Sequence, residues 1–413
     1  MNVGSKKLRH GLRTLRKDWD IETCSDIEPI RSRWQAVERS GVCTPFQSFA
    51  WVSAILRSFE WLEPHIIIVK DRHSGEDVLL LPIVRRRAQL VRFLEVPDFG
   101  VNDYNAPIIA RSISADLSRV AEVWQAAMSV LPAGDVLHLR KVPEVLSDTP
   151  NPLLGLQGFR SECYSSWQLT LPETLTEYEQ KTLSAPNRKQ VRRRTRQLEA
   201  AGDLQYFVPN TDAERKLLFD VLTQQRQSRF TALGRYNILA SRIHRPFYDG
   251  IISTGFDPNV LTLHALKMDG EIVAAAFGLY WQKRFYLLMS TMSSGKWLEM
   301  SPGIVMITKL IAHMHARGCR AFDFTIGDEP YKRQLGATEG AIFEYCRVQS
   351  PIGGPYVLGV KLWPTIVAMK RQLTKTADGY IANRGRRREV HSEEAQHDTN
   401  TPANQSRVRL LSR

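Results

Sequence analysis

The chain has 413 residues, 43% of them hydrophobic, 24% charged and 9% aromatic, a globular composition long enough for two domain-sized cores that excludes collagen-like, coiled-coil and wholly disordered classes. Its net charge of +13 is concentrated in residues 1–20 (six Lys/Arg against two Asp), 188–199 (six against one Glu) and 370–413 (ten against five acids), so the body is nearly neutral and nucleic acid is not an expected partner. Apolar runs at 78–84 and 304–311 stop short of the roughly 20 residues a membrane helix needs; no signal h-region follows the basic start, and five cysteines without CxxC spacing fit neither a disulfide framework nor a zinc site, which predicts a cytoplasmic protein.

In chain order, residues 1–20 read as a solvated basic arm, with Leu8, Leu12 and Leu15 leaving open a short amphipathic helix. Helical patterns at 30–39 and 49–59 precede an apolar run at 65–70, a turn at His73, Ser74 and Gly75, and a second run at 78–86, which together predict a strand hairpin. A run at 90–96, a short strand at 107–110, a helix at 115–131 and strands at 136–140 and 165–171 follow. A second pass repeats the order. It has a short strand at 204–208, helices at 212–230 and 240–252, and strands at 261–267 and 272–281 joined by Asp269-Gly270, a strong hairpin signal. Then come a strand at 284–292, a helix at 302–317 and strands at 321–325 and 342–349. Hairpins followed by a crossover through one helix imply, in each half, a mixed sheet with helices packed on it, the halves joining near 155–170. Between them, residues 184–202 form an Arg-rich helix with a thin apolar stripe at Leu183, Val191 and Leu198, stopped by Gly202. Beyond Thr374 the composition turns polar and charged, the signature of a disordered tail.

Two segments carry candidate chemistry. Ser301-Pro302-Gly303 opens an apolar-periodic helix: Ser suits the cap, Pro the first turn, and Gly303 leaves the helix mouth uncovered for an anion such as a pyrophosphate, although a plainly capped helix gives the same signal. In Phe322-Asp323-Phe324-Thr325-Ile326-Gly327-Asp328-Glu329-Pro330-Tyr331-Lys332, alternation puts the two Phe on one face and Asp323 and Thr325 on the other. Glu329, Tyr331 and Lys332 follow within five residues. His264 and Tyr286, on candidate strands, are secondary possibilities. No GxSxG, HExxH, Walker loop or GxGxxG is present, and His313 and His315 point to different helix faces, so no metal is expected.

These segments, with the Asp-Gly hairpin, RKQVRRRTRQLEAAG and the N-terminal PFQSFAWV, resemble the GNAT acyltransferase superfamily over roughly residues 25–370. The match is closer to its CelD/BcsL-like branch, associated with cellulose biosynthesis and similar in layout to the tandem-GNAT Fem-type transferases. The resemblance implies an α+β fold of two tandem GNAT-like domains, each a mixed, mostly antiparallel sheet flanked by helices: a degenerate N-terminal copy at 21–165 and a catalytic one at 166–370, with the basic arm at 1–20 and the tail at 371–413. It also implies acyl-CoA, most simply acetyl-CoA, as co-substrate, lying where strands 285–291 and 321–325 splay. Met289, Ser290, Thr291, Ser301, Gly303, Ile304 and Lys332 would then bind it. In place of the Gln/Arg-x-x-Gly-x-Gly/Ala phosphate loop stands Glu299-Met300-Ser301-Pro302-Gly303. Aminolysis of a thioester needs a neutral nucleophile, oxyanion donors and a proton for the thiolate. Asp323 is the first candidate base or acceptor-orienting group, with an ion pair or cap as its structural alternative; Tyr331 is the candidate acid and Glu329 a second carboxylate. The implied acceptor is a small-molecule or glycan-linked amine or hydroxyl in exopolysaccharide or cell-envelope biosynthesis, with peripheral contact at the inner membrane. Two other readings stay open: aminoacyl transfer from charged tRNA, using residues 188–196 as a phosphate-contacting arm, and a non-enzymatic accessory role in a polysaccharide machine.

Overall fold

The structure, a computed structural model, describes residues 13–15, 18–234, 237–253, 256, 257, 259–360 and 362. Residues 1–12, 16 and 17 of the expected arm and the whole of the expected tail, 371–413, lie outside these. Arg13–Leu15 is a strand, paired with residues 20–22, where an arm or a helix was expected. Residues up to Gly354 form one compact unit, and Pro355 begins a second.

The first half runs β1 (Trp19–Cys24), α1 (Arg31–Ser40), α2 (Phe49–Ser58), β2 (Glu63–Asp71), β3 (Asp77–Ala88), β4 (Val91–Glu95), α3 (Leu117–Met128) and β5 (Val136–Pro143). A long strand, β6 (Phe159–Thr170), leads into the second half: α4 (Ala185–Ala201), β7 (Leu204–Phe207), α5 (Asp212–Ala232), α6 (Arg245–Ser253), β8 (Leu261–Met268), β9 (Glu271–Trp281), β10 (Arg284–Met292), α7 (Pro302–Ala316), β11 (Ala321–Ile326), α8 (Pro330–Gln334) and β12 (Thr338–Val348). Capping is local: Asp116 accepts from the amides of Ser118 and Arg119 to start α3, and Thr211 with Glu214 forms a reciprocal capping box at the start of α5.

All the strands named join in one mixed sheet, in the order β1-β2-β3-β4-β5-β12-β6-β11-β10-β9-β8-β7. Most neighbours are antiparallel, and the two parallel contacts, β4 with β5 and β10 with β11, each follow a helical crossover, through the short helix Arg111–Ser114 and α3 in the first and through α7 in the second. The last strand, β12, therefore sits between β5 of the first half and β6. Leu, Val and Ile alternating off the strands fill four apolar clusters. One of them, with Phe46, Trp51, Tyr104, Phe247, Phe277 and Tyr286, draws on both halves. Trp51 packs edge-on to Phe247 at 5.1 Å, so α2 is held against α6.

The two parallel pairs differ. β4 meets β5 only at Phe93–Val136 and Leu94–Leu137, and the opening beyond is filled by the loop 97–106. Asn105 N–H donates to Lys141 O (2.9 Å), Asn105 Nδ2 to Arg140 O (3.0 Å), and Lys141 Nζ to Asn102 O (2.6 Å). This loop leaves the first half stiffened by its own side chains and enters the second.

Candidate active site

β10 and β11 pair over Arg284–Ala321, Phe285–Phe322 and Tyr286–Asp323 and then part: β10 stays with β9 as far as Met292, while β11 stays with β6. β10 also carries one extra residue, Leu288, opposite the Phe277–Gly278 step, a bulge at the point of parting. A cavity of about 560 Å³ occupies the gap. Its size suits a small-molecule site.

The strands and helices around the gap bring nearly all the sequence-predicted residues together. Met289, Ser290 and Thr291 line the β10 side, and Ser301, Gly303 and Ile304 the start of α7. Glu329, Tyr331 and Lys332 line the α8 side. Asp323 does not line it. It is 1% exposed, accepting from Tyr104 Oη (2.8 Å) and Thr325 N–H (2.8 Å), with Arg284 Nη1 at 3.6 Å from Oδ2. Burial raises its pKa against the pull of Arg284. His264 is fully buried with Nδ1 at 2.9 Å from Tyr206 Oη, away from the gap, and Tyr286 packs against Phe46 and Tyr104.

Ser301 does not act as the expected cap. Its φ of 54° and ψ of 56° are left-handed and its side chain caps no helix amide, because it closes the preceding turn Leu298–Met300 by donating its N–H to Leu298 O (3.0 Å). The opening amides of α7 are thus not covered by a serine hydroxyl, and a Cβ on Gly303 would meet only Met292, with Sδ at 3.3 Å. That helix mouth fits an anionic group.

Tyr331 spans the gap: its hydroxyl hydrogen-bonds Ser290, its ring meets Phe324 edge-on at 6.0 Å, and burial pushes its pKa up to about 12. Lys332 is 2% exposed; Nζ donates to the carbonyls of Gly327 (2.9 Å) and Ile326 (3.2 Å) and pairs with Glu329 Oε2 (3.0 Å). Gly327 is required here. Its φ is +125°, and a Cβ would lie 2.7 Å from Glu329 Oε2.

Residues 185–333 match the acetyltransferase (GNAT) domain. No curated protein sequence matches the chain. Among solved structures, FemX superposes with a TM-score of 0.57 at 12% identity, over 78% of this chain and 97% of that one. A conserved protein of unknown function from Bacteroides thetaiotaomicron gives 0.50 at 12% identity, over 78% and 98%. At such identities the likeness is one of fold, and it agrees with the expected α+β mixed sheet flanked by helices. Within the GNAT segment, β10, α7, β11 and α8 build the gap, and Arg226 and Arg229 of α5 line it as well. The Arg226 guanidinium lies over the Phe230 ring at 4.2 Å, its Nε has no hydrogen-bond partner, and burial lowers its pKa. A cation held this way in a cavity wall suits an anionic ligand group.

Sequence reasoning missed Arg226, Arg229 and Asp103. The arginines occupy one face of α5 with Phe230 and Leu233, a spacing that was legible but read as ordinary helix. Asp103 reaches the gap from the first half, in the loop 97–106. No helix among the described residues is long and apolar enough to cross a membrane, and no group of three or more His, Cys, Asp or Glu among them is placed to hold a metal ion.

Proposed function

We infer that the chain moves an acyl group from an acyl-CoA thioester, most simply acetyl-CoA, to an amine or hydroxyl. The parting of β10 from β11 carries this reading, because it leaves an unpaired strand edge at 288–291 beside a helix mouth, the two features an amide-bearing, diphosphate-tailed thioester requires. On this reading the pantetheine amides pair with β10 and the opening amides of α7 receive the pyrophosphate. Backbone N–H groups at the Leu288 bulge would supply donors for the charge that develops on the thioester oxygen. Tyr331 keeps its proton at neutral pH and delivers it to the departing thiolate.

Residues 21–165 are a degenerate copy of the 166–370 unit on this reading, supported by the way 97–106 fills the gap between β4 and β5. PFQSFAWV and Gly-Asp-Glu-Pro-Tyr-Lys favour the CelD/BcsL-like branch, hence a glycan-linked or small envelope acceptor. Calorimetry with acetyl-CoA and palmitoyl-CoA tests the donor, comparing wild type with Gly303→Trp, whose side chain fills the helix mouth. Saturable binding lost in the folded variant supports the reading. Absence of binding by either thioester sinks it and favours the tRNA-dependent or accessory alternatives.

A further inference from the structure

The acyl acceptor must lose a proton, yet the carboxylate that strand alternation nominates, Asp323, is sealed behind Tyr104, Thr325 and Arg284 and touches no open space. Glu329 is 53% exposed at the rim and committed to Lys332. One other carboxylate lines the gap, and it comes from the opposite half of the chain. Asp103 is carried on the loop 97–106, enclosed by protein yet partly exposed to the cavity, with its carboxyl against the Thr325 hydroxyl. That hydroxyl also hydrogen-bonds Leu287 O (3.1 Å), the first residue of β10 past the last parallel pair and one before the bulge. Asp103 therefore stands at the apex of the parting, next to where an acceptor meets a thioester carbonyl lodged against β10.

Resting on the acyl-transfer reading, we propose that Asp103 is the general base, supplied to the catalytic unit by the loop that fills the N-terminal half's own opening. The placement is rigid. Asp98 Oδ1 accepts from the N–H groups of Gly100 (2.8 Å) and Asn102 (3.0 Å), Asn102 Nδ2 donates to Asn105 Oδ1 (2.8 Å), Trp51 Nε1 donates to Asn102 Oδ1 (2.7 Å), and Tyr104 locks onto Asp323. The charged and titratable groups facing Asp103 are Lys141 of β5, Lys332 of α8, Arg226 of α5, Tyr248 of α6, and Asp98 and Tyr104 of its own loop. Burial pushes its carboxyl up to about 6 in spite of Lys141 and Lys332, which keeps it ionised at neutral pH while leaving it a stronger base than a surface aspartate. Thr325, a β-branched residue held at φ +56°, is the strained position that presents the hydroxyl.

In the step assigned to Asp103, the acceptor nitrogen attacks the thioester carbon, a C–N bond forms and the carbonyl π electrons move to oxygen. The nitrogen becomes acidic as it bonds, and one N–H proton passes to the Asp103 carboxylate. Collapse re-forms C=O and breaks C–S; the sulfur leaves with the bond pair and takes a proton from Tyr331, which Asp103 restores through solvent. The products are an amide and a free thiol. A hydroxyl acceptor follows the same course to an ester, and water to a carboxylic acid.

The test follows thiol release from acetyl-CoA with water, hydroxylamine and glucosamine as acceptors, over a pH series, together with acetyl-CoA affinity by calorimetry. Wild type is expected to gain rate through an inflection near 6. Asp103→Asn is expected to lose about 100-fold or more in rate and the inflection with it, while holding acetyl-CoA within about twofold. In Asp103→Ala, added formate is expected to restore release, a rescue that a merely structural role would not give. The proposal is overturned if Asp103→Asn, folded as judged by its melting curve, keeps the wild-type inflection and rate, or if wild type binds acetyl-CoA and releases no thiol to any of the three acceptors. A wild type that binds no acyl-CoA overturns the donor reading itself, and the base with it.

Discussion

The phenol of Tyr104 donates to Asp323 Oδ1 at 2.8 Å, one hydrogen bond joining residues 219 positions apart, and so fastens the loop 97–106 of the first half to strand β11 of the second. Both groups are at most 1% exposed. Tyr104→Phe keeps the edge-on ring contacts with Phe46 and Tyr286 and removes only the donor to a buried acid. The expected cost is about 2 kcal/mol, read from urea unfolding. An unchanged midpoint would show that this bond is not what holds the loop.

Asp103 makes stability depend on pH. Its folded-state pKa of about 6 lies above the ordinary value of 3.8, so folding favours the protonated acid. The contribution is complete below the unfolded-state pKa and is lost as pH rises through about 6. Asp103→Asn is therefore expected to match wild type at pH 4 and to be the more stable protein above pH 7, by at most about 3 kcal/mol. Melting curves at the two pH values check this, and a variant less stable than wild type at pH 8 contradicts it.

Removing the ammonium of Lys332 strands several acceptors at once. Lys332→Met leaves the carbonyls of Ile326 and Gly327 unsatisfied at the end of β11 and Glu329 unpaired, for an expected loss of about 2–4 kcal/mol. If Lys332 instead bound donor phosphate, stability would hold and acetyl-CoA affinity alone would fall; denaturant titration and calorimetry on the same variant separate the two.

Tyr331→Phe removes the hydroxyl that meets Ser290 across the gap. With its pKa pushed up to about 12, the phenol stays protonated throughout the working range, so the loss of turnover, on the order of 100-fold, should be flat with pH up to about 10. A KM for acetyl-CoA that rises while kcat stays constant would assign Tyr331 to binding instead.

Local chemistry made much of this legible. Asp269-Gly270 does turn β8 into β9, both with positive φ, and the residues chosen around Gly303 and Tyr331 do line one cavity. What escaped was whatever depends on distant approach. Val101 to Ala106 has no periodicity of its own, and nothing within it announces that Asp103 and Tyr104 are delivered to β11. Ser301 looked like a cap because serine before proline usually is one; the preceding turn claims it instead. The insertion of β12 between β5 and β6 was equally hidden, since alternation fixes which face a strand buries and not which neighbour it takes.

That insertion orders events as the chain is made. β5 and β6 emerge early with facing edges unpaired, and the strand that bridges them, Thr338–Val348, is among the last of the folded segments to be synthesised. Until it arrives, the nascent protein carries two open sheet edges of the kind that recruit other chains. A truncation that removes β12 therefore does more than shorten the second half: it unzips the seam between the halves, and with it the support beneath both Asp103 and Asp323.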